Sequence, residues 1–405
     1  MTLAGLLLAA ITVHSNFEAG SIGKVEFVGP SHLRCAVKGE TDQDGRNRQP
    51  SWFYFRLDGV QGRELVIELT DLHGEYNYRP HDGSGHRNMR PVYSYDNEHW
   101  RHFESSEWDP ALHAIRVRFT PEASRVWIAR QPPYTTRRLA RLLDELRGKP
   151  EVRCQIAGRS VRGRPIWLLT VTNFKVPDAG KKVIWWMARQ HAWESGTSWV
   201  TEGALRYLVS ADPHAARIRD TTIFLFFPMA DPDGVHRGGV RFNEFGYDLN
   251  RNWDAVDPRR MPEIACQRQA ILNWVDSGRR LDLFLTLHNT ESSEYIEGPL
   301  SGSPEIRALG ERLWKLLVEQ TAFHSPGGPR DQPASTDPGK KGRMTVNQAL
   351  YQERRIPAFL MELMVDPSPR LGRPPSVEDR LEFGAALVRV LRAAVEGATH
   401  AKIEN

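Results

Sequence analysis

Between residues 11 and 130 apolar and polar side chains alternate with a period of two, as half-buried strands require. Trp52 and Tyr54 oppose Phe53 and Phe55, and Leu65, Ile67 and Leu69 share one face. Ile115, Val117 and Phe119 alternate with Arg116 and Arg118. Gly- and Asp-rich breaks separate these runs, and no long helical period interrupts them. Residues 11–130 therefore read as an all-β domain, most simply a sandwich. Pro132-Pro133 punctuates its end. Residues 135–147 then place Leu139, Leu142, Leu143 and Leu146 at helical spacing, and Gly148 stops the run. Residues 131–150 are expected to form a linker helix.

From residue 151 the pattern changes. Short apolar strands over 166–171, 183–188, 222–227, 281–287 and 358–364 alternate with helical stretches near 197–210, 262–276, 304–320 and 376–396. Ser376, with Asp379 three residues on, marks the start of the last helix. Such alternation predicts an α/β domain over 151–400: a mixed, largely parallel sheet with helices on both faces. Residues 322–343, rich in Pro, Gly and polar side chains, read as a long loop.

Composition narrows the function classes. A chain of 405 residues suits two domains, and its 40% hydrophobic fraction is ample for packed cores. The net charge is +4 and no long Lys/Arg block occurs, which argues against a nucleic-acid partner. Cys35, Cys154 and Cys266 lie far apart without a C-x-x-C, which excludes a disulfide framework or a thiolate metal site. Buried structural thiols are expected instead. No stretch reaches the roughly 20 apolar residues of a membrane span, so stable membrane insertion is not expected. Residues 1–10, MTLAGLLLAA, resemble the apolar core of a secretory signal that lacks its basic lead. That favours export over a cytoplasmic location, with an apolar leader packed on the first domain as the alternative.

In a parallel sheet the site lies at the carboxyl ends of the strands. His191 and Glu194 follow the run 183–188, Asp231, Arg241 and Asp248 follow 222–227, and His288 ends 281–287. Two histidines and a carboxylate on neighbouring strand ends are a hydrolytic zinc arrangement. Zinc lowers the pKa of its water to about 7, and a base must still take the proton. Glu362 lies inside an apolar strand, where an idle carboxylate would be costly. It is the candidate base, with a structural ion pair as the alternative. Asp248 suits the second ring nitrogen of a ligating imidazole, although a capping role fits a turn aspartate as well.

H-x-x-E at 191–194, D-L-N-R-N-W at 248–253, a distant histidine and a glutamate in an apolar strand together resemble the M14 zinc carboxypeptidase family. S-N-F-E-A-G (15–20), W-F-Y-F-R (52–56), M-R-P-V-Y-S (89–94) and P-Y-T (133–135) resemble the N-terminal domain of its cytosolic carboxypeptidase subfamily. The resemblance implies zinc held by His191, Glu194 and His288, with Glu362 as base and then acid. It gives Asn250 and Arg251 the substrate's terminal carboxylate, and Arg241 the scissile carbonyl. The substrate would be the C-terminus of a peptide or protein. Lys340, Lys341 and Arg343 suit an acidic terminal residue such as glutamate, unless they are simply a solvated basic loop. Thr345 and Asn347 fall where the family lines its side-chain pocket.

The chain departs from the family at two points. Ala192-Trp193 stands where Pro-Gly is usual, and the family's mobile-loop tyrosine has no counterpart in Gly339-Lys340-Lys341-Gly342-Arg343. Tyr351 sits too close to the base to replace it. Two rivals remain on the residues alone: a zinc amidoacylase on the same fold, and a peptide-binding protein with a degenerate site. The oligomeric state is left open.

Overall fold

The computed structural model describes residues 10–332 and 340–397. Residues 1–9, most of the apolar leader, and Gly339 of the basic loop lie outside this range. Two five-stranded sheets are drawn from residues between Thr12 and Ala129. One has the spatial order 12–14, 54–58, 125–129, 92–94, 101–102; the other runs 107–109, 114–119, 65–70, 32–36, 25–29. Phe53, Phe55, Leu57, Val126 and Ile128 from the first meet Leu33, Leu65, Ile67, Leu69, Ile115 and Val117 from the second. The period-two pattern thus forms a sandwich, as expected. Trp52 and Tyr54, on the opposite face of their strand, enter a second cluster with Trp193, Val240 and Val365. That cluster glues the sandwich to the rest of the chain.

The helix Thr136–Leu146 is capped by Thr135, whose side chain accepts from the Arg138 amide. Its four leucines enter the core of the following sheet, and Arg141 reaches back to Glu98 of the sandwich at 3.1 Å. An eight-stranded mixed sheet follows. Its order is Val152–Arg159, Pro165–Val171, Thr222–Phe227, Lys182–Ala188, Leu283–Thr290, Ala358–Met364, Tyr295–Gly298, Arg330–Asp331. The four central strands are parallel. Along Lys182–Ala188 the pleat sends Ile184, Trp186 and Ala188 to one core, packed by the helices Ser195–Leu208, Pro304–Gln320 and Val377–Glu396. Val183, Trp185 and Met187 enter the other core, with Pro262–Asp276 and Val346–Arg354. Helices therefore cover both faces, as the alternation required.

The helix that follows the candidate ligands is held by close backbone contact. A Cβ on Gly203 would meet the Leu381 carbonyl oxygen at 2.1 Å, and one on Gly384 the Val200 oxygen at 2.0 Å. Glycine on each helix lets Ser195–Leu208 and Val377–Glu396 cross at this distance.

Three differences from the sequence reading have local causes. The short helices Pro213–Thr221 and Pro232–Arg237 begin with an aspartate cap followed by proline, but are too brief to show a period. Val346–Arg354, with a full Thr345/Gln348 capping box, follows directly on the stretch read as loop. Of the three thiols only Cys35 is buried; Cys154 is exposed because it lies on the outermost strand of the sheet.

Arg130, just past the strand Arg125–Ala129, meets Asp366, just past the strand Ala358–Met364, at 3.0 Å, with both side chains fully buried. Removing one partner strands the other charge in a dry interface. Asp366→Ala is expected to lower unfolding stability by about 3–5 kcal/mol, measured by urea or thermal denaturation.

Candidate metal centre

The strand Lys182–Ala188 ends in a tight turn. Arg189, fully buried, adopts a left-handed backbone with φ of 63°, a conformation a side-chain-bearing residue holds only when its surroundings fix it. Its guanidinium donates to the Ala192 carbonyl at 2.7 and 2.9 Å, to Tyr134 O at 3.1 Å and to Ser198 Oγ at 3.1 Å. The turn is thereby closed on itself. Glu194 follows at the N-cap of Ser195–Leu208. Trp193 points away from the ligands and into the sandwich contact, so the bulky residue in place of glycine braces the loop from behind.

His191, Glu194 and His288 each present one ligand atom, and these atoms all lie within 4.8 Å of one another. His191 Nδ1 is 2.7 Å from Glu194 Oε1, His288 Nδ1 is 3.0 Å from Glu194 Oε2, and the two Nδ1 atoms are 3.3 Å apart. All three side chains are buried. Burial alone would raise the Glu194 carboxyl, but the two imidazoles hold it well below the usual carboxylate range. Burial likewise opposes charge on His191, yet Glu194 and Asp248 raise its pKa. A carboxylate with two ring nitrogens converging on it, closed from water, is a set that a divalent cation fits.

The far side of each imidazole is also engaged. His191 Nε2 lies 3.0 Å from Asp248 Oδ1, so Asp248 meets the second ring nitrogen while also accepting from the Asn250 amide at 2.8 Å. His288 Nε2 lies 3.2 Å from Gln190 Oε1, 3.2 Å from Asn250 Nδ2 and 3.3 Å from Thr286 Oγ1. Gln190 and Thr286 are bonded to each other at 2.7 Å. Neither was marked by the sequence pattern, although Gln190 adjoins the first histidine.

Glu362 is the direct register partner of His288 across the parallel strands Leu283–Thr290 and Ala358–Met364. Partners at one level of a parallel pair project to the same side, so the acid stands beside the ligand. Its Oε2 is buried without a hydrogen-bond partner. Burial and the nearby Glu194 carboxylate push its pKa well above the usual value, against the pull of Arg241.

Arg241 is reached through Asp248. Its Nε donates to Asp248 Oδ2 at 2.7 Å, and the Tyr76 ring of the sandwich lies 5.3 Å from its guanidinium carbon. Burial works against the charge, but Asp248 holds the guanidinium firmly protonated. Arg251 is buried and donates to Asn250 O at 2.7 Å, while its Nε has no partner. The Asn250 side chain is occupied, bonding His288 on one side and accepting from Val346 N at 3.1 Å on the other. A cleft of about 220 Å³ opens over Arg241, Asp248 and Arg251. Tyr76 and Tyr78 of the sandwich and Lys341 and Arg343 of the later loop also line it, and Arg343 bonds Asn77 at 3.0 Å. Thr345 caps its helix, and Asn347 is fully buried with its amide on Gln332 at 2.6 Å.

Two family models match the chain in tandem. The zinc carboxypeptidase model covers residues 139–297, and the cytosolic carboxypeptidase N-terminal domain model covers residues 13–130. The chain belongs to the zinc carboxypeptidase family. Its enzyme class is thereby metallocarboxypeptidase, as the motifs implied. A metallo-carboxypeptidase from Burkholderia cenocepacia superposes with a TM-score of 0.81 at 27% identity, over 96% of this chain and 100% of that one. A metallo-carboxypeptidase from Pseudomonas aeruginosa, solved with (2-guanidinoethylmercapto)succinic acid, gives 0.81 at 25% identity over 96% and 100%. Cytosolic carboxypeptidase 3 of Mus musculus is 25% identical over 348 residues, 76% of this chain. The chain spans about a third of that relative's length, 33%.

These matches overturn the expectation of export. The N-terminal model and the named relatives are those of cytosolic carboxypeptidases and point to the cytoplasm. Among the described residues no helix is long and apolar enough to cross a membrane.

Asp248 fixes the orientation of His191 without belonging to the donor set. Asp248→Asn is expected to weaken zinc binding by about 10–100-fold, measured by chelator competition.

Proposed function

We propose that this chain is a zinc-dependent carboxypeptidase that hydrolyses the last peptide bond of peptides or proteins, preferring an acidic C-terminal residue. One observation carries the reading: the donor atoms of His191, Glu194 and His288 converge, with Glu362 in register beside His288. Bound there, zinc supplies an acidified water and a Lewis acid for the scissile carbonyl.

The chain's own groups do the rest. Arg251, with Asn250 beside it, takes the terminal carboxylate; a planar guanidinium with an unpartnered buried N–H matches that group. A substrate so anchored offers its last carbonyl to Arg241, whose charge steadies the oxyanion as it forms. Glu362 accepts the proton of the attacking water and returns it to the leaving amine. Asp248 keeps both His191 and Arg241 in place.

The acidic preference rests on charge. Arg241, Arg251, Lys341 and Arg343 line one cleft, and a second carboxylate on the terminal residue would be drawn to it. The sandwich, read as residues 11–130, shapes the mouth of a catalytic domain read as residues 151–400, with the helix between them.

Three results are expected from N-blocked peptides varying only in the last residue. Cleavage is fastest with C-terminal glutamate or aspartate and absent when the terminus is amidated. Chelation abolishes it and zinc restores it. Glu362→Gln retains zinc but loses about 10²–10⁴ in kcat, the usual share of general acid–base catalysis. Equal cleavage of the amidated peptide would remove Arg251 from its role, and an active Glu362→Gln enzyme would remove the base.

A further inference from the structure

We propose that Glu40, from the N-terminal sandwich, is a positioning residue that sets Arg241 in place for catalysis. The inference rests on the reading of Arg241 as the group that polarises the scissile carbonyl.

Glu40 lies just past the strand His32–Ala36 and is held there by a β-bridge to Gln49. Its carboxylate crosses to the other domain. One oxygen, Oε2, accepts from three consecutive backbone amides: Val240 at 2.9 Å, Arg241 at 2.6 Å and Phe242 at 2.9 Å. Its other oxygen pairs with Arg237, which also bonds the carbonyls of Phe242 and Asn243. The segment that carries Arg241 is thus gripped by its amides through Glu40 and by its carbonyls through Arg237. Hydrogen bonds to an ionised acceptor are roughly twice as strong as neutral ones. Three on one half-buried oxygen fix both the position and the turn of this backbone.

The same segment touches the metal loop. The Val240 carbonyl accepts from Trp193 N at 3.0 Å, next to Glu194. Beyond the backbone, the Arg241 side chain is confined by Asp248 at 2.7 Å and by the Tyr76 ring at 5.3 Å. Glu40 is the part of this confinement that acts on the root of the side chain rather than its tip. An oxyanion donor is effective only if it needs no reorganisation when charge develops. Freeing the root would let Arg241 stay bonded to Asp248 yet miss the developing charge.

The test is a double-mutant cycle of Glu40→Ala and Arg241→Ala. It uses the full chain, loaded with zinc, and the blocked peptide that the parent cleaves best. Glu40→Ala is expected to bind zinc stoichiometrically, to keep KM within about twofold and to lose at least about tenfold in kcat, part of the 10²–10³ that an oxyanion donor supplies. Arg241→Ala should lose that full amount, and the double variant should be no slower than Arg241→Ala alone, because coupled residues are not additive. Glu40→Gln, which can still accept from the amides, should recover part of the lost kcat, and it carries the comparison if Glu40→Ala does not fold. A Glu40 variant with kcat within twofold of the parent, while Arg241→Ala is slow, overturns the proposal. So do losses that simply multiply in the double variant. If Arg241→Ala itself is as fast as the parent, the role given to Arg241 fails first and the proposal falls with it.

Discussion

Carboxylates taken out of water must be answered by positive charge or hydrogen bonds, and the centre of this molecule is organised by that demand. Glu194, Asp248 and Glu362 all lie close enough to Arg241 to feel its charge. Asp248 is answered twice, by the His191 ring and the Arg241 guanidinium. Glu194 faces two imidazoles, both of which must be neutral to serve as ligands. Glu362 keeps one oxygen without any partner. A divalent cation among the three donors would satisfy the charge that the protein leaves open, and it would do so at the strand ends, where the sheet gives way to loops.

The sandwich belongs to this arrangement rather than merely preceding it. Trp193 packs against its outer face, Arg130 is paired with Asp366, and Glu40 binds the backbone of residues 240–242. Tyr76 lies on a small hairpin formed by Gly74–Tyr76 and Arg79–His81, over the guanidinium of Arg241. The contacts of Trp193, Glu40 and Tyr76 reach residues adjacent to, or within, the proposed machinery. The alternating faces of a single strand explain the economy: Phe53 and Phe55 hold the sandwich together while Trp52 and Tyr54 attach it.

Much of this was legible because strands and ligands carry local signatures. The apolar runs announce the central sheet, and the strand-end rule draws His191, Glu194 and His288 into one set. Glu362 betrayed itself as a charge in an apolar run. Its alignment with His288 did not, because pairing between distant parallel strands leaves no mark on either segment. Glu40 and Arg241 are 201 positions apart, and nothing in the neighbourhood of either residue hints at the other. The sequence marks Trp193 only as a bulky residue where glycine is usual, since direction cannot be told from a residue's bulk. The interface supplied the answer by offering it a dry place to go.

The pairing of His288 with Glu362 has a consequence for how this architecture can change. Successive residues of a strand face opposite sides, so losing or gaining one position in either segment would turn the acid toward the opposite helical layer. The ladder acts as a ruler with no tolerance for insertions, whereas the connections between strands can lengthen freely. Variation among descendants of this chain should therefore accumulate in loop length, leaving the spacing along these two strands untouched.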